Sequence, residues 1–314
     1  MKILITGGLG NLGSWLTEYL IRQNHEVSTF SNNDREVLKE QSFERIFGNI
    51  ADEHDLKNVF RKKWDVVIHL ASINEGNVPG YSKKALEINT WGTRNLLQQI
   101  TNSDNRSAHL IYFSTFHIYG ADEGIITESD SLPKPRNDYG STHLFAEYYI
   151  QQFHFTHSIP YTSLRLTNSY GCPKEINNSK WYLVLNDLVK NAFEKKAIVL
   201  SSNGLPLRDF IWMGDVVVAV DNCIAKGPAN DNFNLSSGKS IKMIDVAKIV
   251  RKAYEDHFET TIEIRTNKED KKRYPDSLTV APDKLKKWIS FSPTEKLYDE
   301  AIKIFDFLKT YSDK

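Results

Sequence analysis

Apolar residues recur along this chain in two alternating rhythms. Short, nearly continuous apolar runs occur at Lys2-Ile3-Leu4-Ile5-Thr6, Glu26-Val27-Ser28-Thr29-Phe30, Asp65-Val66-Val67-Ile68-His69-Leu70-Ala71, His109-Leu110-Ile111-Tyr112-Phe113-Ser114-Thr115 and Tyr161-Thr162-Ser163-Leu164-Arg165-Leu166. Runs of this kind are what parallel strands show when helices cover both faces of the sheet. Phe43-Glu44-Arg45-Ile46-Phe47 is a further, more polar strand candidate. Between the runs lie segments with helical spacing. One begins at Ser14-Trp15-Leu16 and ends near Gln23-Asn24; a second starts at Asp52-Glu53; a third spans Ser82 to Ile100 with Ala85, Ile88, Leu96, Leu97 and Ile100 on its apolar side and Asn89 within it; a fourth spans Tyr139 to His157. Strand-helix alternation of this regularity predicts an α/β fold with a doubly wound parallel sheet. Beyond Leu166 the alternation lapses into shorter elements, and a last helix is predicted from Ser292-Pro293-Thr294-Glu295, whose Thr-Glu pair suits an N-terminus.

The junction of the first strand and first helix carries Thr6-Gly7-Gly8-Leu9-Gly10-Asn11-Leu12-Gly13. From Gly8 the run fits G-x-G-x-x-G; from Gly7 it fits T-G-x-x-G-x-x-G. Gly7 and Gly8 permit a sharp turn, Gly10 permits backbone to approach a pyrophosphate, and Gly13 permits the helix to pack on the strand. The free N–H groups of the new helix favour an anion without a basic side chain. By itself the pattern also describes a glycine-rich turn that binds nothing; the flanking strand and helix favour the dinucleotide reading.

Composition narrows the partners. The 314 residues suit one large or two intimately joined domains, and 40% hydrophobic with 25% charged residues is ordinary for a folded globular chain. Forty basic and forty acidic residues cancel, so there is no electrostatic footprint for nucleic acid or an anionic membrane. The two cysteines, Cys172 and Cys223, lack metal-type spacing, and no metal site is expected. A first strand at residue 2 leaves no room for a secretory leader, and no apolar run approaches a membrane span; a cytoplasmic protein is expected.

Candidate chemistry follows the strand ends. Ser31 and Asn32 stand after the second strand, where an acidic side chain commonly takes the ribose hydroxyls of NAD about twenty residues beyond the glycines. With Ser31 there, NADP is not excluded. Arg35 either meets a 2'-phosphate or lies in solvent. Tyr139 and His143 are four residues apart and so share a helix face. The same helix carries Phe145, Tyr148, Tyr149, Phe153 and Phe155, a pattern for core packing or a helix-helix dimer contact.

Several motifs together resemble one family, the extended short-chain dehydrogenase/reductases of the nucleotide-sugar epimerase/dehydratase group. They are the glycine run, His69-Leu70-Ala71-Ser72, Asn89 with Gly92-Thr93, Phe113-Ser114-Thr115, Tyr119-Gly120, Tyr139, Arg165 with Asn168-Ser169-Tyr170-Gly171, Arg208-Asp209-Phe210 and Arg273-Tyr274-Pro275-Asp276. The resemblance covers nearly the whole chain. It implies a Rossmann domain over residues 1–170, with a return segment near 214–236, and a smaller α/β portion over 171–314 that mainly binds a nucleoside-diphosphate sugar. It implies NAD contacts at Gly7, Gly10, Asn11, Leu12 and Gly13, at Ser31 and Asn32, at Asn49 and Ile50, at Leu70, Ala71 and Ser72, and at Asn89, Ser114, Tyr139, His143 and Leu166. Thr115, Phe116, His117, Asn168, Arg208 and Arg273 are the implied substrate contacts. A homodimer through the helices of Leu96-Leu97 and Phe145-Tyr148-Tyr149 is also implied.

The implied reaction is oxidation of a sugar C4 hydroxyl in polysaccharide biosynthesis, with Tyr139 as base and Thr115 as the second hydroxyl on the reacting oxygen. Two departures stand out. Where the family has a lysine one turn after the tyrosine, this chain has His143, which weakens base catalysis and leaves room for a second reading, an idle cofactor-binding scaffold or redox sensor. Where the related dehydratases carry an acid pair, this chain has Phe116 and His117, so an activity that stops at the 4-keto sugar, or a 4-epimerase that re-reduces it, is expected in preference to dehydration.

Overall fold

The structure, a computed structural model, describes residues 1–33, 35, 37–38, 42–74, 80–176 and 179–312. The first part of the chain runs β1 (Lys2–Thr6), α1 (Asn11–Arg22), β2 (Glu26–Ser31), β3 (Glu44–Phe47), α2 (Glu53–Val59), β4 (Val66–His69), α3 (Tyr81–Ala85), a π-helical segment (Leu86–Trp91), α4 (Gly92–Thr101), β5 (His109–Thr115), β6 (Gly124–Ile126), α5 (Asp138–His157) and β7 (Tyr161–Leu166). The later part runs β8 (Asn168–Tyr170), α6 (Val184–Lys195), β9 (Ala197–Val199), β10 (Leu207–Trp212), α7 (Met213–Lys226), β11 (Asp231–Leu235), β12 (Ser240–Lys242), α8 (Met243–Phe258), β13 (Glu263–Arg265), β14 (Leu278–Val280), α9 (Asp283–Trp288) and α10 (Leu297–Ser312).

The main sheet has seven strands in the order β11-β7-β5-β4-β1-β2-β3, all paired in parallel. Every residue of β4 and β5 is buried, as their unbroken apolar runs require when both faces are covered. One face packs α1 and α7 through Leu16, Leu20, Val216 and Val220. The other packs α2, α4 and α5 through Leu56, Leu96, Leu97, Ile100 and Ile150. Full burial of each such side chain contributes about 1.5–3 kcal/mol. The chain reverses its direction of travel across the sheet between β1 and β4, and ligands of open parallel sheets sit outside the strand ends at such a point. A second core joins α6, α8 and α10 to β8 and β10 around Leu185, Phe210, Val250 and Phe305.

Two expectations need correction, and a third is narrowed. The helix over Ser82–Ile100 is interrupted: its middle widens into the π-helical turn, from which the Asn89 carboxamide reaches sideways to the chain leaving β4. The last helix starts at Leu297, not at Ser292, because Thr294 is held from outside, its N–H and hydroxyl both bonded to the Asp215 carboxylate. The dimer expectation named the helices; on the first of them Leu96 and Leu97 themselves are fully buried between α4 and the sheet. The exposed apolar side chains of this helix group are instead Leu86, Trp91, Phe145, Tyr148 and Phe155.

Candidate active site

A pocket of about 830 Å³ opens at the carboxyl ends of β1, β4 and β5, and the later part of the chain closes over it. Its floor is the glycine turn. Gly7 has φ +73° and a Cβ there would lie 2.9 Å from the Ala71 nitrogen, so β1 and the exit of β4 meet without a side chain between them. Gly10 N–H donates to the Gly7 carbonyl (2.9 Å), which tightens the turn. At Gly13 a Cβ would lie 2.8 Å from the Gly8 backbone, so α1 sits directly on the turn. No side chain caps α1, whose N-terminal N–H groups at Asn11, Leu12 and Gly13 border the pocket.

The loop leaving β4 forms one wall, and Asn89 holds it. The Asn89 Oδ1 accepts the Ile73 N–H (2.8 Å), and its Nδ2 donates to the Ile73 carbonyl (3.2 Å) and the Thr142 hydroxyl (3.0 Å). The wide turn is what aims this carboxamide between the loop and α5. Behind it runs a buried chain of side chains: Thr6 hydroxyl to His69 Nδ1 (2.6 Å), and His69 Nε2 to Thr93 hydroxyl (2.9 Å).

The end of β5 and the start of α5 bring Thr115, His117, Tyr139 and His143 to the pocket. The Asn137 side chain caps α5 by accepting the Gly140 N–H (2.8 Å), which fixes the first turn and therefore Tyr139. Tyr139 hydrogen-bonds Thr115, whose Oγ1 also accepts the His117 N–H (3.2 Å). Burial pushes the Tyr139 phenol well above its ordinary value, reinforced by Tyr182 and Tyr81, and the Thr115 bond offsets this only in part. One turn on, the His143 ring lies at 4.5 Å from the Tyr139 ring, edge to face. Burial, then His69 and His117, push His143 down to about 3, so it is neutral near pH 7. Its Nδ1 is 2.7 Å from the Tyr112 hydroxyl. His117 is open to the pocket, and partial burial and the Arg208 charge lower its pKa. Beneath these groups, Arg165 grips Glu147 with two hydrogen bonds (3.1 and 2.8 Å) and Tyr119 with a third (2.7 Å), which locks β7 to α5.

Most of the residues singled out in the sequence line this one pocket: Gly7, Gly10, Asn11, Leu12, Gly13, Ser31, Asn32, Asn49, Ile50, Leu70, Ala71, Ser72, Ser114, Thr115, His117, Tyr139, His143, Leu166 and Asn168. Arg35 lines it as well. Four lie elsewhere. Asn89 is behind the wall it supports, and Phe116 is buried under the His117 ring at 4.5 Å. Arg208 is half-buried on β10, its Nη1 donating to the Leu207 carbonyl (2.9 Å), and Arg273 is exposed on the stretch before β14. Tyr182, Leu183, Val184 and Leu185 enter the pocket from the later part of the chain without having been anticipated. They precede and open α6, and no motif marks them.

The profile of one protein family, described as the NAD dependent epimerase/dehydratase family, matches residues 3–236 of the chain. The chain belongs to this family. A relative within reach of direct alignment is a dTDP-D-glucose 4,6-dehydratase of Dictyostelium discoideum, 32% identical over 272 residues, which are 79% of this chain and 61% of that protein; the chain thus spans less than two thirds of that relative's length. A dTDP-L-rhamnose 4-epimerase of Burkholderia thailandensis is 25% identical over 299 residues, covering 81% of each chain. Among solved structures, a UDP-glucuronic acid 4-epimerase of Bacillus cereus, in complex with UDP-glucuronic acid and NAD, superposes with a TM-score of 0.82 at 23% identity and covers 99% of this chain and 100% of that one. At that identity the superposition bears on the fold.

The family is NAD-dependent, and the pocket fits that cofactor. Three residues that line the pocket, Ser31, Ser114 and His143, each carry a buried polar atom (Oγ, Oγ and Nε2) that is unpaired among the described residues. They lie along the pocket at the ends of β2 and β5 and on α5, in keeping with a long ligand that carries ribose hydroxyls. The crowding at Gly13 and the uncapped start of α1 suit a pyrophosphate between them.

Proposed function

We propose that the chain oxidises the C4 hydroxyl of a nucleoside-diphosphate sugar to a ketone, as a dehydrogenase or, when the ketone is reduced again from the other face, as a 4-epimerase. The observation that carries this is the Tyr139-Thr115 pair at the pocket wall, one helical turn from His143. NAD, when bound, supplies the acceptor for the C4 hydride. Thr115 and Tyr139 hold the reacting hydroxyl, and the Tyr139 phenolate takes its proton, becoming the phenol. Asn11, Leu12 and Gly13 offer backbone N–H groups to the cofactor's phosphates, and His143 offers a ring N–H to a ribose hydroxyl. Asn168 borders the substrate end, and Arg208, whose charge acts on His117, stands near it, while Arg273 is exposed on the stretch before β14. Phe116 has no proton to give and is buried, which argues against water elimination.

The scaffold reading draws on two features, a His143 that is neutral near pH 7 and a Tyr139 phenol that burial raises further above its ordinary value, so the base is weak. Single-turnover NADH absorbance with a panel of nucleotide sugars separates the two readings. Absorbance should grow with the parent and vanish in Tyr139→Phe, which still binds NAD. If NAD binds and no sugar nucleotide reduces it in the parent, the scaffold reading stands. The outward apolar face of Leu86, Trp91, Phe145 and Tyr148 supports pairing with a second copy of the chain.

A further inference from the structure

We propose that Tyr112 fixes the tautomer of His143, so that the ring presents its single proton on Nε2 to a hydroxyl of the ligand in the pocket. Tyr112 is then a positioning residue that acts through His143 without touching the ligand. The inference rests on the reading of His143 as a cofactor contact.

Both side chains are 2% exposed, and the Tyr112 hydroxyl is 2.7 Å from His143 Nδ1. Two neutral arrangements fit that distance. In the first, Tyr112 donates to Nδ1 and the ring proton sits on Nε2. In the second, Nδ1–H donates to the phenol oxygen, and the Tyr112 proton must find another acceptor. The other imidazole packed on Tyr112 is His69, with ring centroids 5.6 Å apart, and it offers none. Its Nδ1 and Nε2 are engaged by the hydroxyls of Thr6 and Thr93. Among the described residues the Tyr112 hydroxyl bonds only His143. The second arrangement therefore buries an unpaired phenol O–H and an unpaired Nε2 lone pair, whereas the first leaves one unpaired group, Nε2–H. A buried unpaired group costs enough to decide between them. The unpaired group also belongs to a side chain that lines the pocket, whereas Tyr112 does not line it. Charge does not intervene, because burial holds His143 at about 3 and pushes the Tyr112 phenol well above its ordinary value.

The test reads the imidazole nitrogens of ligand-free, 15N-labelled protein, with His143 assigned by comparison with His143→Gln. In the parent, Nδ1 should show the shift of an unprotonated ring nitrogen and Nε2 that of a protonated one. In Tyr112→Phe both shifts should move toward the average of exchanging tautomers, and NAD affinity should fall by about threefold to tenfold. A protonated Nδ1 in the parent overturns the proposal, and this needs no variant to fold. An unchanged 15N pattern, or unchanged NAD affinity, in a folded Tyr112→Phe protein also overturns it. The nitrogen shifts are read without cofactor or sugar, so a failure to oxidise any sugar nucleotide would count against the proposed function and leave the tautomer result standing.

Discussion

The Tyr182 hydroxyl donates to the backbone carbonyl of Asn74 at 3.0 Å, joining the segment before α6 to the loop that leaves β4. Both residues line the pocket, so this bond ties two of its walls together. Tyr182→Phe removes a bond of about 0.5–1.5 kcal/mol and should speed release of bound NAD by about threefold to tenfold while association is little changed. Stopped-flow displacement measures both rates, and an unaltered release rate would show that the bond does not gate the ligand.

The glycine turn separates stability from binding. Gly13→Ala places a methyl group against the Gly7 and Gly8 backbone and should destabilise the fold by about 1–3 kcal/mol, read from urea midpoints. Gly10 has more room, its nearest neighbour for a Cβ being the Gly7 carbonyl oxygen at 3.1 Å. Gly10→Val should therefore fold and lose NAD binding, because the side chain occupies the ground a pyrophosphate needs. Undiminished affinity in folded Gly10→Val would remove the turn from the cofactor site.

As the proposed base, Tyr139 would act only when ionised, and its pKa is raised by burial. Sugar oxidation should be slow near neutrality and climb through the alkaline range. His143→Lys brings a cation to the same helix face, favours the phenolate and should shift that climb to lower pH. NADH formation across pH for the two proteins checks this; superimposable profiles would mean that residue 143 does not tune the phenol.

Acid should loosen the fold through three buried histidines. Burial lowers His69 to about 3, His109 to about 4 and His143 to about 3, against an ordinary value of 6.5 in the unfolded chain. Protons therefore bind the unfolded chain first. The contribution of these rings is complete above the unfolded value and is lost as pH falls through the interval down to the folded values. By about pH 5 the loss is on the order of 1–2 kcal/mol per ring. Urea midpoints at about pH 7.5 and about pH 5 read it, and equal midpoints would contradict the burial of neutral imidazoles.

Phe145 and Tyr148, three residues apart on α5, are exposed, as are Leu86 and Trp91 on the π-helical segment that α5 packs against. If a second copy covers them, Phe145→Asp with Tyr148→Asp should convert a dimeric mass into a monomeric one by light scattering at micromolar concentration, with the fold retained. A parent that is already monomeric would dispose of this interface.

The parallel sheet and the glycine turn were legible because their signals are local: an apolar run long enough to be buried on both faces, and glycines where the chain turns sharply from strand into helix. Tyr139 and His143 were legible as a pair because four residues make one helical turn. Tyr112 was not, since a tyrosine within a wholly buried strand reads as core and nothing in the pattern tells where its hydroxyl points. Tyr182 was hidden for a different reason: it reaches the site across more than a hundred residues of chain, from a segment without periodicity. The start of α10 was misplaced because Asp215, which captures Thr294, is remote in sequence. Arg208 and Arg273 illustrate the converse, motifs that can be read plainly while their side chains lie outside the pocket walls.

The wide turn at Leu86–Trp91 bears on how this chain tolerates changes of length. A π turn carries a residue more than an α turn, so deleting one residue there would let α3 and α4 merge into a regular helix with their buried faces still in phase. The same deletion elsewhere between Tyr81 and Thr101 would rotate all that follows by about 100° about the axis and turn Leu96 and Leu97 out of the core. What the tolerated deletion would forfeit is Asn89's grip on Ile73. The helix is thus one residue longer than its own axis requires, and the surplus lies in the turn from which Asn89 props the wall of the pocket.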